Sequence, residues 1–184
     1  MSERQTDGPL ISTGIPGLDD VLSGGLDPDR LYLIEGEPGT GKTTIALQFL
    51  LEGASRGEKG LCVTLSESER ELRLVARRHG WSIDVPPEAT LDPERELTLF
   101  HPSELELSES SKLIFERVNE VKPLRVVFDS LSEVRLLAQN SLRYRRQILA
   151  LKIFFCWAPM YRSPARRSLV ARGRFFICIA SRMV

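Results

Sequence analysis

The sequence predicts an α/β protein built on a mostly parallel β-sheet flanked by helices. Three observations carry that prediction. Strand-like apolar runs alternate with helix-like ones along residues 10–152, the order that places helices on the faces of a parallel sheet. The run "LRVVF" (124–128) is apolar without alternation apart from Arg125, as in strands buried on both faces. A glycine-rich loop, "GEPGTGKT" (36–43), joins one such strand to a helix.

The elements follow in order. In "STGIPGLDDVLSGGL" (12–26), Pro16 suits the first turn of a helix. Leu18, Val21 and Leu22 share one face of it, and Gly24-Gly25 stop it. "RLYLIE" (30–35) is a short strand, and the helix after the loop runs to about Ala54, with Ile45/Phe49 and Ala46/Leu50 as two inward rows. "GLCVTL" (60–65) is a second strand. The helix after it opens with a capping box, Ser68 and Glu71, buries Leu72, Val75 and Ala76, and ends at Gly80. "VPPEATLDPERE" (85–96) reads as a proline-bearing loop and "ELTLF" (96–100) as a third strand. A helix with Ile114, Val118 and Val121 on one face stops before Pro123, and the strand 124–128 leads into Asp129. A last helix runs from about Leu142 to Phe154, with Tyr144, Ile148 and Leu151 in register.

The 184 residues suffice for one domain with a real core. The net charge of zero hides a split. Residues 1–152 hold 25 acidic and 19 basic residues, a sum of −6, and residues 153–184 hold six arginines and no acid. An acidic body argues against nucleic acid as a partner. The N-terminus, "MSERQTDGPL", is polar and shows no signal peptide, and no apolar run approaches the ~20 residues of a bilayer span. A soluble cytoplasmic protein is expected. Cys62, Cys156 and Cys178 are isolated and read as free buried thiols, and His79 and His101 as structural or surface residues.

Gly36-Glu37-Pro38-Gly39-Thr40-Gly41-Lys42-Thr43 matches G-x-x-x-x-G-K-S/T in full, and Thr44 follows in the same helix. Glycines let successive backbone N–H groups converge on one anion, and the helix start adds its positive dipole end. Lys42 would reach the β- and γ-phosphates of a nucleotide, and the Thr43 hydroxyl would ligate Mg²⁺. Asp129 ends a strand where ligands of parallel sheets bind, and suits the same metal; the other reading is a turn-forming aspartate. Hydrolysis also needs a carboxylate to orient water. Glu67, after the second strand, is the candidate, against a plain first-turn acid. The cluster "RYRRQ" (143–147) is either a solvated basic face or a contact to a neighbouring subunit or an anion.

"STGIPGLDDVLSGGL", "GEPGTGKTTIALQFLLEGASRGEKGLCVTLSE" and "VVFDSLSE" together resemble the KaiC-like branch of the RecA-type ATPases over about residues 10 to 152. The resemblance implies a RecA-like P-loop core, ATP with Mg²⁺, ATPase activity, and a ring, typically a hexamer, with ATP between subunits. For the clock protein itself it also implies Ser/Thr autophosphorylation. Lys42 and Thr43 match the Walker A pair and Asp129 the Walker B acid. The family often carries two adjacent glutamates after the second strand; here the pair is Ser66-Glu67. That keeps slow hydrolysis and weakens the autokinase reading. A nucleotide-dependent scaffold with little hydrolysis is the alternative, and a DNA recombination ATPase a third.

From Ile153 the pattern breaks. Residues 1–9 read as a flexible N-terminus, 10–152 as an incomplete ATP-binding domain, and 153–184 as an aberrant basic tail that replaces later strands. Cys-Trp-Ala-Pro-Met-Tyr-Arg-Ser-Pro-Ala-Arg-Arg (156–167) can be encoded by bases that, read one base on, give Ala-Gly-Arg-Gln-Cys-Thr-Val-Leu-Leu-Leu-Asp-Asp. That alternative is a turn and a buried strand. The tail is therefore expected to be a frameshifted reading of a longer gene; a truncated paralogue and a genuine basic tail are the other readings. A sheet without its later strands would expose an apolar edge, against which "RFFICIA" (174–180) could pair.

Overall fold

The computed structural model describes residues 9–28, 30–83, 97–100, 107–138, 140–157 and 175–181. The proline-bearing loop, His101 and most of the basic tail lie outside the described residues, as does the N-terminus up to residue 8. The described elements are α1 (Pro16–Val21), β1 (Leu31–Gly36), α2 (Lys42–Ser55), β2 (Gly60–Thr64), α3 (Glu69–Arg78), β3 (Leu97–Phe100), α4 (Leu107–Val121), β4 (Arg125–Asp129), α5 (Leu131–Leu137), α6 (Ser141–Trp157) and β5 (Phe175–Ser181).

The five strands form one sheet in the order β1-β5-β4-β2-β3, and every pairing is parallel. Alternate residues of the central strands serve opposite faces, as the pleat requires. Cys62 and Val127 join Leu47, Phe49 and Leu50 of α2 and Leu72 and Ala76 of α3 in one core layer. Leu61, Val63, Val126 and Phe128 face the other way, onto Ile114 and Val118 of α4, Val134 of α5 and Leu151 of α6. The sheet is thus covered on both faces, which explains why β2 and β4 are buried along their whole length. Among the described residues no helix is long and apolar enough to cross a membrane.

Three expectations change. Val21 is 81% exposed and leaves the face that periodicity assigns to it, although Leu22 of that face packs half-buried against the core. The last helix continues without interruption through Ile153 to Trp157, past the predicted break. Most importantly, the C-terminal segment is not an opportunistic edge strand. β5 occupies the middle of the sheet, with Phe176 opposite Leu31 and Ser181 opposite Gly36 on one side, and Phe175 opposite Arg125 and Ile179 opposite Asp129 on the other. An apolar extended run gains two hydrogen-bonding partners in that slot and only one at an edge.

A phosphate-loop cleft at the carboxyl edge of the sheet

Parallel strands put all their carboxyl ends on one side of the sheet, and the candidate residues gather there. Gly36 ends β1, Asp129 ends β4, and Glu67 lies three residues beyond β2. The loop between β1 and α2 turns through Gly39 (φ +80°) and Gly41 (φ +85°), backbone conformations that glycine adopts without a Cβ clash. A Cβ at Gly36 would stand 2.9 Å from the Thr40 hydroxyl, so this position also needs its glycine. Inside the loop the Lys42 ammonium donates to the carbonyls of Gly36 (3.0 Å) and Glu37 (2.7 Å), and Lys42 is buried. Thr40 closes the turn by donating its hydroxyl to the Glu37 carbonyl at 2.8 Å.

Local hydrogen bonds hold Glu67 beside Asp129. The Glu67 N–H donates to the Thr64 hydroxyl (3.1 Å), and that hydroxyl donates to the Glu67 carbonyl (2.9 Å). The Leu65 N–H donates to the Asp129 carbonyl at 2.7 Å, which ties the end of β2 to the end of β4. The Thr43 hydroxyl then lies 3.0 Å from Asp129 Oδ2 and 3.2 Å from Glu67 Oε1. It carries one proton and can serve one carboxylate at a time. The motif threonine, the strand-ending aspartate and the candidate water-orienting glutamate, all picked out in the sequence, are brought together.

Burial, and then the charge of Asp129, push the Glu67 carboxyl above its ordinary range. Burial also raises Asp129, against the opposing pull of the Thr43 hydrogen bond and the Lys42 charge. Glu67 Oε2 is buried without a hydrogen-bond partner. Two crowded carboxyls, one with an orphaned oxygen, are a donor set that suits a small hard cation. Among the described residues no group of three or more His, Cys, Asp or Glu gathers that could hold a metal alone. Mg²⁺ fits this partial set, because it commonly takes one or two carboxylates and completes its shell with phosphate and water. Thr43 and Asp129 would hold it.

These residues open onto a cleft of about 690 Å³. Pro38, Gly39, Gly41, Lys42, Thr43 and Thr44 form its loop wall, and Ser66, Glu67, Asp129 and Glu133 its floor. Gly36, Glu37 and Thr40 belong to the same loop through their hydrogen bonds to one another and to Lys42. Val75 and Arg78 of α3, His79 just after it and Leu136 of α5 also line the cleft, and their part in it was not legible in the sequence. His79, read as a structural or surface residue because no motif includes it, is exposed. Cys62, buried in the sheet beneath, is a free thiol pushed far up by burial, and takes no part in the cleft.

Comparison with known proteins gives the family and the fold. A family model described as "ATPase: KaiC" matches residues 11–156. Over 84 residues the chain is 46% identical to the circadian clock protein KaiC3 of Synechocystis, covering 45% of this chain and 17% of that protein. Over 134 residues it is 36% identical to a UPF0273 protein of Methanopyrus kandleri, covering 66% of this chain and 53% of the relative. The circadian clock oscillator protein KaiC of Picosynechococcus is 34% identical over 134 residues, 72% of this chain and 25% of that protein. The chain thus spans well under two thirds of the length of these relatives. In fold it is similar to the crystal structure of a KaiC-like protein from Pyrococcus horikoshii, with a TM-score of 0.74 and 24% identity over 95% of this chain and 73% of that one. The matched span contains the phosphate loop, Glu67 and Asp129, and the chain belongs to the KaiC family of ATPases.

Proposed function

We propose that the cleft binds ATP with Mg²⁺ and hydrolyses it slowly. The observation that carries this reading is the Thr43 hydroxyl set between Asp129 and Glu67 at the mouth of a complete phosphate loop. The loop N–H groups and the start of α2 supply positive potential for the phosphates. Lys42 adds a cation already placed inside the loop. Mg²⁺ would neutralise charge on the phosphate oxygens when bound. Glu67, half-buried and raised in pKa, is suited to accept a proton from an attacking water.

Lys42→Ala is expected to weaken ATP binding at least tenfold, because the loop then lacks its positioned cation. Unchanged affinity by calorimetry would remove the phosphate-loop argument. Glu67→Gln is expected to keep ATP affinity while lowering the single-turnover hydrolysis rate by about 10²–10⁴-fold, the usual weight of a general base.

A second reading, a nucleotide-dependent scaffold with little hydrolysis, is favoured by Ser66, which stands where relatives of this type often have another acid. If wild type and Glu67→Gln hydrolyse equally slowly while both bind ATP, the scaffold reading holds. Assembly into a hexameric ring with ATP between subunits belongs to this proposal, and sedimentation of the ATP-loaded chain tests it.

A further inference from the structure

Helix α6 carries more aliphatic side chains than the core takes from it. Tyr144, Ile148 and Leu151 pack into the core layer beneath it. On the opposite side Leu142, Leu149 and Ile153 are 70%, 55% and 49% exposed. They stand seven and then four residues apart, so at about 100° per residue they fall within an arc of about 40°. That is the d, d, a spacing of a coiled-coil seam, with Arg146 at the a position between the two leucines. At the helical rise the stripe is about 16 Å long.

The residues beside the stripe have one sign. Arg143, Arg145 and Lys152 hold the flanking e and g positions, with Ala150 at the fourth, and all three cations are exposed. No acidic residue occurs along Ser141–Trp157. Among the described residues the ion pairs form at Glu52, Glu58, Glu69, Glu116 and Glu120, none of them on α6. Charges at e and g choose the partner of an apolar seam. A second α6 brings the same cations and is repelled. The sequence after Trp157 adds six arginines and no acid, so it does not supply the complement. A helix that lies on a membrane needs a broad apolar face, and the broad apolar side of α6 is spent on the core. We propose that the outer face of α6 is a docking seam for a partner helix with aliphatic residues at a and d and Glu or Asp along its flanks. This surface stands apart from the nucleotide reading and does not depend on it.

Fluorescence anisotropy with the full chain tests this against two synthetic peptides. Both are helices of about four heptads with leucine at a and d. One carries glutamate at e and g, the other lysine. The glutamate peptide should bind about tenfold more tightly than the lysine peptide, the summed weight of a few exposed charge pairs, and should weaken as salt is raised. Leu149→Glu should remove that binding, because it sets a charge in the middle of the seam. Arg145→Glu combined with Lys152→Glu should reverse the preference in favour of the lysine peptide. All three positions are exposed on a helix and glutamate is a good helix former, so these variants probe docking rather than folding. Equal binding of the two peptides, binding of neither, or glutamate-peptide binding that survives Leu149→Glu overturns the seam. Self-association that Leu149→Glu abolishes would give this face to a second copy, and Leu149-dependent binding to phosphatidylserine vesicles would give it to a membrane. Either result overturns the acidic-helix partner.

Discussion

Arg125 leads the fully buried side chains by volume, at the start of the strand that ends in Asp129. Its Nε donates to Glu58 at 2.7 Å, and its Nη1 donates to the carbonyls of Ser12 (2.9 Å) and Phe49 (2.8 Å). The guanidinium also lies 4.6 Å from the centre of the Phe49 ring. A Cβ at Gly53 would come within 2.5 Å of Arg125 Cδ, so the helix passes this close only because residue 53 has no side chain. Glu58→Ala strands a buried charge and is expected to cost about 3–5 kcal/mol, measured by urea unfolding. Asp19 is a second polar anchor. Burial alone would raise its carboxyl, but the Thr13 N–H and the hydroxyls of Thr13 and Ser12 outweigh burial and hold it below the ordinary value. Its stabilising effect is therefore complete above the ordinary carboxylate pKa of about 4 and is lost as pH falls through the lower folded value. Asp19→Asn should flatten the acid limb of the stability curve and leave an equal loss at neutral pH; an unchanged acid limb would remove this account. Lys42, Thr43, Glu67 and Asp129 were legible in the sequence because each is fixed by its distance from a strand end or a glycine. Arg125 and His79 were not, because what they touch, Glu58 and Ser12 for one and Trp81 for the other, is decided by how the elements meet.

Elements were legible where a local signal marks their ends. The capping box of α3 forms as the spacing requires: the Glu71 N–H meets the Ser68 hydroxyl, and the Glu71 carboxylate takes the Ser68 N–H at 2.7 Å. That cap fixes the first turn just after Glu67, and the helix brings Val75 and, just beyond its end, His79 to the lining of the cleft. Ser68→Ala should cost about 1 kcal/mol in thermal unfolding, with a smaller effect on ATP affinity, since Thr64 holds Glu67 independently. Helix α5 was missed. It has seven residues and starts directly after β4, and Ser130 at its N-cap makes no side-chain hydrogen bond, so neither length nor cap announces it. Val21 misled for a related reason. A helix of six residues has too few turns for its periodicity to fix every residue of the buried face: Leu22 packs against the core as expected, and Val21 does not.

For the whole molecule, the sheet depends on a segment that the family match does not reach. The match stops at residue 156, yet β5 begins at Phe175 and lies between the strand that carries the phosphate loop and the strand that carries Asp129. A central parallel strand demands little of its sequence beyond an extended apolar run rich in aromatic and β-branched residues. "FFICIA" meets that demand, and so would Thr-Val-Leu-Leu-Leu, which one choice of codons for the tail encodes one base on. The basic tail is proposed here as a frameshifted substitute for a native strand at this point. The two candidates differ in how they reach the slot. In the present chain β5 starts at Phe175, after α6 ends at Trp157, while the alternative has about five residues ahead of Thr-Val-Leu-Leu-Leu, and a shorter separation costs less loop-closure entropy. A chain cut after Trp157 should aggregate, because β1 and β4 then have no strand between them. A chimera carrying Ala-Gly-Arg-Gln-Cys-Thr-Val-Leu-Leu-Leu-Asp-Asp in place of residues 156–184 should unfold at a higher urea concentration than the present chain and bind ATP more tightly. If the present chain is the more stable of the two, Phe175–Ser181 is the sheet's own strand and the substitution account fails.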